Sequence, residues 1–406
     1  MNPQHPSPSQ ALLAIALLAV ATSLGLAGTD LVLPAVPMLP QQLGGSAAHA
    51  QYVLATYVAG AGLGLLLFGS LGARFNQARL LVISLLFLCL FSWAITGADT
   101  LAHVTGLRFL QGLSGSAAAV FAPGMIRALY DETAAVRAIG ILGSIESLVP
   151  ALAPLAGLWL LNRYDWTASF LVTAWIALVL ALIAAVGARS LWPASVVRNS
   201  NPASGGYGQL IRNPVFMRYA LSQALCLGGL LVFVFGAPVV IVGSLHGTLT
   251  DFVTMQVSGI VFFIVGANLT GSLVRRFGVE QMIFAGTGLS AAGALALLSY
   301  GLVGGSDPLV VAVLFVPMNL GLGLRGPPGF YQAVLASGAD SARGAALVIL
   351  AVQITAAAGT VLAAEWIDDG LVPLAVVAAA ISVAAVLVLM AFPPAMLPHP
   401  ETKREA

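Results

Sequence analysis

A chain of 406 residues that is 59% hydrophobic and 8% charged, with a mean hydropathy of +0.98, cannot clothe a water-soluble fold, whose composition includes about 25% charged residues. Its formal net charge of +1 leaves no basic excess for nucleic acid. Lys403 is the only lysine, which excludes both a Walker-type phosphate loop and Schiff-base chemistry.

Apolar runs of about 20 residues, the length that crosses a bilayer as a helix, recur from end to end. The first ten residues carry no Lys or Arg, and the first run, starting at Ala11, continues past Leu33. A cleavable signal peptide has a basic start and a shorter apolar core. The run is therefore expected to be a retained helix over 11–36, with Asp30 near its far end and Pro34 and Pro37 after it. Helices follow over 49–70, 79–98, 101–124 with Arg108 and Gln111, 137–160 with Glu146, and 167–187. A polar stretch from Ala188 to Asn213, rich in Gly, Ser, Pro and Asn, interrupts the pattern. Six more helices are predicted over 215–243, 250–274, 281–303, 308–331, 344–364 and 371–392. The chain divides into a six-helix bundle over 1–187, a cytoplasmic linker over 188–214 and a second six-helix bundle over 215–406. The expected fold class is all-α, a polytopic membrane protein with twelve transmembrane helices in two pseudo-symmetric bundles.

Charge placement tests that count. With the amino terminus inside, Arg74, Arg79, Arg127, Arg137, Arg189, Arg198, Arg212, Arg218, Arg275, Arg276, Arg343, Lys403 and Arg404 all fall on the cytoplasmic side, and Arg163 alone falls outside. Asp99, Asp165, Asp251, Asp307, Glu365, Asp368 and Asp369 lie in the outer loops. This asymmetry sets topology, and it predicts a multi-pass protein of a bacterial inner membrane with both termini cytoplasmic. An internal echo supports the two halves: GSLGARF (Gly69–Phe75) returns as GSLVRRF (Gly271–Phe277), and Pro34 matches Pro238 at nearly the same offset. Parallel repeats of this kind place a substrate site between the halves near the midplane.

His5, His49, His103, His246 and His399 are read as loop or tail residues, and Cys89 and Cys226 as lone thiols inside apolar runs. No metal, cofactor or catalytic residue is expected, and the loops are too short for a soluble catalytic domain. Uphill movement of a solute must then draw on an ion gradient. Asp30, Arg108, Glu146 and Arg325 lie well inside spans, where each charge costs about 2.5–3.5 kcal/mol and is expected to face the bundle interior. Depth along the helices suggests two couples, Asp30 with Arg108 and Glu146 with Arg325. Arginine cannot deprotonate, so Asp30 or Glu146 is the candidate proton carrier. The alternative for these four, and most of all for Glu146, is a structural charge locking helices together.

Four segments resemble the major facilitator superfamily, and within it the drug:proton antiporters of the bicyclomycin/chloramphenicol-resistance (Bcr/CflA) type. They are TDLVLPAVP (Thr29–Pro37), LRFLQGLSGSAAAV (Leu107–Val120), PALAPLAGLWLLNRYDW (Pro150–Trp166) and FGAPVVIV (Phe235–Val242). The resemblance puts the family's helix 4 arginine on Arg108, its Gln-Gly on Gln111 and Gly112, and its antiporter motif on Pro150, Pro154 and Gly157. By resemblance that motif kinks helix 5, packs it on helix 8 and seals a proton leak between the halves. The gating loop after helix 2 departs from the family: Gly69 and Arg74 remain, but Ala73, Asn76, Gln77 and Ala78 replace its other signature residues.

The resemblance implies a proton-coupled exporter of drugs or of a self-made metabolite such as a siderophore, working by alternating access. A proton-coupled importer is the alternative, and a non-transporting receptor or scaffold fits less well because it gives no reason for four buried charges. Helices 1, 4, 7 and 10 are expected to line the cavity, with Gln111, Gln223 and Asn319 as polar contacts and Arg325 favouring an anionic or zwitterionic substrate. The expected partners are a small molecule, protons and the lipid bilayer, with no obligate protein partner.

Overall fold

The computed structural model describes residues 8–72, 74–130, 132–187, 207–338 and 341–394. Among them are twelve helices long and apolar enough to cross a membrane and no strand. They are α1 (Gln10–Leu43), α2 (Ala47–Gly72), α3 (Gln77–Ile95), α4 (Leu101–Leu129), α5 (Ala138–Arg163), α6 (Ala168–Val186), α7 (Pro214–Ser244), α8 (Leu249–Phe277), α9 (Val279–Leu302), α10 (Pro308–Ala336), α11 (Arg343–Ala364) and α12 (Leu371–Ala391). The expected all-α polytopic fold is the one observed. Ala73, Arg189, Arg198, Lys403, Arg404 and most of the predicted linker lie outside the described residues. His49 and His103 stand in the first turns of α2 and α4 rather than in loops.

Local chemistry explains the ends. Asn76 caps α3 by accepting from the Arg79 backbone N–H (3.1 Å). Thr248 and Asp251 close a capping box at the start of α8, and Asp307 caps α10 just before Pro308. Such caps satisfy N–H groups that a helix start leaves without partners. α1 is α-helical as far as Asp30, passes through a 3-10 stretch over Leu33–Met38 and resumes as α-helix over Leu39–Leu43. Pro34 has no N–H to give the Asp30 carbonyl, which is why the α pattern stops there. Its counterpart α7 also leaves the α pattern after a proline, in a π turn over Val240–Ser244 that follows Pro238.

Close crossings depend on glycine. A Cβ added at Gly60 would strike the Phe109 carbonyl and one at Gly112 the Tyr57 carbonyl, so α2 and α4 meet backbone to backbone.

The cores report the conformation. Along the face of the loops near residues 44–46 and 365–370, one apolar core runs through both halves, joining Leu33, Val36 and Leu54 to Phe233, Phe235 and Ile367. Toward the opposite, arginine-rich face each half has its own core, with Leu18, Leu81 and Phe121 in one and Phe216, Tyr219 and Ile283 in the other. The halves are thus sealed together at one face and parted at the other. In the second half, Arg218 ties α7 to Glu280 of α9 (2.8 Å) and to the Phe392 carbonyl beyond α12 (2.6 Å). Its guanidinium also donates to the Leu389 carbonyl.

Candidate functional site

Between the halves lies a chamber of two lobes. One, about 300 Å³, is walled by Asp30, Glu146, Pro150, Gln256 and Asn319 among leucines and phenylalanines of α7, α8 and α10. The other, about 370 Å³, is walled by Thr22, Asp30, Tyr57, Gln223 and Gln353 together with apolar side chains of α1, α2, α4, α7 and α11. Asp30, Pro150, Leu227 and Leu231 border both. The carboxylate at the end of the α-helical part of α1 therefore stands at the junction. The expected wall of α1, α4, α7 and α10 is present, and α2, α5, α8 and α11 complete it.

Neither expected ion pair forms. Arg108 is 0% exposed; its Nε donates to the Val53 carbonyl (3.1 Å) and its Nη1 to the Gly28 carbonyl (2.9 Å) and Gln111 Oε1 (2.7 Å), while its Nη2 has no hydrogen-bond partner among the described residues. Its flat face lies 4.0 Å from the centroid of the Tyr57 ring, a cation–π contact that strengthens out of water. Asp30 sits instead beside the Gln256 amide. Glu146 has the Thr22 side chain as its neighbour, and Arg325 donates to Gln223 Oε1 (2.8 Å) and Ser222 Oγ (3.0 Å). Depth along a helix located these charges, but rotation about the helix axis decides what each one meets.

Two residues expected at the substrate stand behind the wall. Gln111, 1% exposed, links Arg108 to Ser92 of α3 through its Nε2 (2.7 Å) and borders neither lobe. Arg325 is 0% exposed and likewise borders neither. It holds the amide of Gln223, which does reach the second lobe. Arg108 plays the same part behind Tyr57, whose hydroxyl donates to the Gly25 carbonyl (2.5 Å). Asn319 borders the first lobe, where its Nδ2 donates back to the Phe315 carbonyl (3.2 Å).

The helix 5 motif meets its expected neighbour at one end and departs from it at the other. Pro150 meets α8, its carbonyl accepting from Gln256 Nε2 (3.4 Å), and Pro154 lies inside the continuing helix. Gly157 packs on α1 rather than α8: an added Cβ would strike the Leu31 carbonyl. That carbonyl belongs to the stretch where α1 leaves the α pattern, and it accepts from Ser169 Oγ (3.2 Å). Gly157 makes room for the break in α1. After α2, a Cβ added at Gly69 would meet nothing within 4 Å and Arg74 is exposed.

Tyr57, Thr22, Gln256 and Gln353 were not singled out from the sequence. Gln256 and Gln353 are lone amides in apolar runs, the signal that did single out Gln223. Tyr57 carries no such mark.

Residues 18–360 match the family model described as Major Facilitator Superfamily. The chain is 30% identical over 275 residues to "Chloramphenicol resistance protein" of Pseudomonas aeruginosa, covering 66% of this chain and 64% of the relative. It is 25% identical over 275 residues to "Chloramphenicol resistance protein CraA" of Acinetobacter baumannii, covering 67% and 66%. It is 22% identical over 258 residues to "Bicyclomycin resistance protein homolog" of Haemophilus influenzae, covering 63% and 65%. The chain thus spans slightly less than two thirds of the length of each of these relatives. Among solved structures it superposes on the POT family transporter PepTSo with a TM-score of 0.76 at 13% identity, covering 94% and 98% of the two chains. An inward-facing, unoccupied bacterial homolog of Spinster gives 0.67 at 13% identity, covering 95% of each. Likeness at such identities concerns the fold.

Proposed function

The chain is a multi-pass membrane protein that belongs to the Major Facilitator Superfamily, and from that premise we propose that it exports small organic molecules in exchange for protons, by alternating access. The supporting observation is Asp30, at the junction of both lobes of a chamber sealed at one face and parted at the other. A carboxylate there can hold a proton or a substrate group but not both, and that competition couples the two fluxes. Arg108 and Arg325 cannot release a proton, and they act by holding Tyr57 and Gln223 in the wall. Glu146 is the second acid of the chamber. Roughly 1.36 kcal/mol per pH unit and 2.3 kcal/mol per 100 mV give about 3.7 kcal/mol for each proton, enough for a gradient of a few hundredfold.

The names of the relatives favour drug-like substrates, and a self-made metabolite such as a siderophore fits the same chamber. In this reading the arginine-rich face is cytoplasmic and the membrane is a bacterial inner membrane, with a small molecule and protons as the partners.

Inverted vesicles carrying an acid interior provide the test. Chloramphenicol, a lipophilic cation and a siderophore are added in turn, and proton release is followed with a pH-sensitive dye. Wild type is expected to release protons with at least one compound and Asp30→Asn with none. Proton release that survives Asp30→Asn defeats the coupling role. In whole cells, export predicts that an uncoupler raises retained solute, and import predicts the reverse.

A further inference from the structure

The chamber wall is sorted by which end of each polar group faces a ligand. Asp30, Glu146, Ser147, Gln256 and Asn319 are the polar side chains of the first lobe. The two acids accept hydrogen bonds once ionised. Each of the other three already gives a donor to the backbone. Ser147 Oγ donates to the Ser144 carbonyl (2.7 Å), Gln256 Nε2 to the Pro150 carbonyl (3.4 Å) and Asn319 Nδ2 to the Phe315 carbonyl (3.2 Å). A carbonyl can only accept, so the nitrogen of each amide turns to the backbone and the oxygen remains. Gln256 Oε1 is buried without a partner among the described residues. Gly259 makes room for the Asn319 setting, because an added Cβ there would lie 2.7 Å from Nδ2. Acceptors outnumber donors in this lobe.

The second lobe holds the opposite case. Arg325 Nη1 donates to Gln223 Oε1 (2.8 Å), and a guanidinium has five donors and no acceptor. The amide oxygen must therefore face Arg325, which leaves Nε2 as the end of Gln223 that meets the lobe. Gly329 provides the space: an added Cβ would lie 2.7 Å from Arg325 Nη2 and 3.3 Å from Gln223 Oε1. The buried charge behind the amide polarises it and strengthens its N–H as a donor. Nearby, the Thr22, Tyr57 and Ser116 hydroxyls give their protons to the Ala19, Gly25 and Leu113 carbonyls. Asp30 borders this lobe as well, and its charge disfavours an anion. The group that suits Gln223 is a neutral acceptor, such as a carbonyl or nitro oxygen.

We propose that the chamber selects its substrate by hydrogen-bond direction, with O–H or N–H donors of the ligand meeting the acceptors of the first lobe and a neutral acceptor at its other end meeting Gln223 Nε2, which Arg325 holds outward. The proposal deepens the export reading and rests on it in taking this chamber as the substrate site. Apolar walls with a few placed polar groups suit an organic ligand, and here those groups also orient it. A quaternary cation satisfies the acids by charge alone and leaves the Asn319 oxygen unmet. A neutral molecule with hydroxyls at one end and an acceptor at the other is the better-matched class. Arg325 is a positioning residue in this scheme, and Gln223 and Asn319 touch the ligand.

The test measures binding to the full chain in lipid nanodiscs with no proton gradient, so it reads recognition without coupled transport. Chloramphenicol is the probe, with two hydroxyls at one end and a nitro group at the other. Its di-O-methyl ether lacks both O–H donors, and an analogue with hydrogen in place of the nitro group lacks the acceptor. Each analogue is expected to bind wild type roughly tenfold more weakly than chloramphenicol, the scale of one lost hydrogen bond. Gln223→Met is expected to weaken chloramphenicol roughly tenfold and to leave the nitro-free analogue unchanged. Asn319→Leu is expected to weaken chloramphenicol to the same extent and to leave the di-O-methyl ether unchanged, whereas Asn319→Asp, which keeps an acceptor, retains chloramphenicol. Gln223→Glu keeps a partner for Arg325 but presents no donor; it should match Gln223→Met and replaces it if that variant does not fold. Substitutions that weaken all three compounds alike mark a structural effect and overturn the proposal, as does absent binding of chloramphenicol to wild type. Vesicles that release no protons while the crossed pattern holds count against antiport and leave this recognition standing.

Discussion

Arg108 holds a permanent charge at 0% exposure without a carboxylate. It is tolerable because two backbone carbonyls, one amide oxygen and a phenol ring surround the guanidinium. Lysine keeps the charge but loses the planar fork, so Arg108→Lys should leave at least one buried acceptor without its donor. The expected cost is about 1–3 kcal/mol, read as a lower thermal unfolding midpoint in detergent. Arg325→Lys should release Gln223 or Ser222 in the same way and change substrate affinity more than proton release without substrate, because Gln223 borders the chamber and Arg325 does not. Asp30→Glu, which retains a carboxyl, should preserve part of the proton release that Asp30→Asn abolishes.

At the scale of an element, the break in α1 explains several neighbours at once. Pro34 ends the α pattern after Asp30, the Leu31 carbonyl turns toward Ser169, and Gly157 leaves the space it needs. A leucine at 157 would press on that carbonyl, and overpacking of this kind costs about 1–3 kcal/mol. Gly157→Leu should thus lower stability and export together, whereas Gly143→Ala, placed in open space, should leave the thermal midpoint near that of wild type. The start of α3 gives a smaller, separable effect: Asn76→Ala removes a cap worth about 1 kcal/mol, visible as faster hydrogen exchange in its first turn.

For the whole molecule, the distribution of the cores predicts which positions water can reach. Ile349 borders the second lobe on the side where the halves part, whereas Val36 is fully buried in the core they share. In the state described, Ile349→Cys should react with a membrane-impermeant maleimide applied to the arginine-rich face and Val36→Cys should not. A condition that drives the other state should reverse the pair. Reactivity of both residues unchanged under every condition would argue against rocking of one half on the other.

Twelve spans and the crowding of arginine on one face were legible in the sequence, because hydrophobicity and loop charge are properties of short segments. Asp30 was legible for the same reason, as a lone acid beside prolines in an apolar run. The partners of the buried charges were not. A residue's depth follows from its position along a helix, but the direction of its side chain depends on how that helix is rotated against neighbours distant in the chain. That rotation turns Arg108 to backbone carbonyls, removes Gln111 and Arg325 from the chamber surface, and sets Gly157 against α1 instead of α8. It leaves two acids on the wall of a chamber that only the packing of both halves creates.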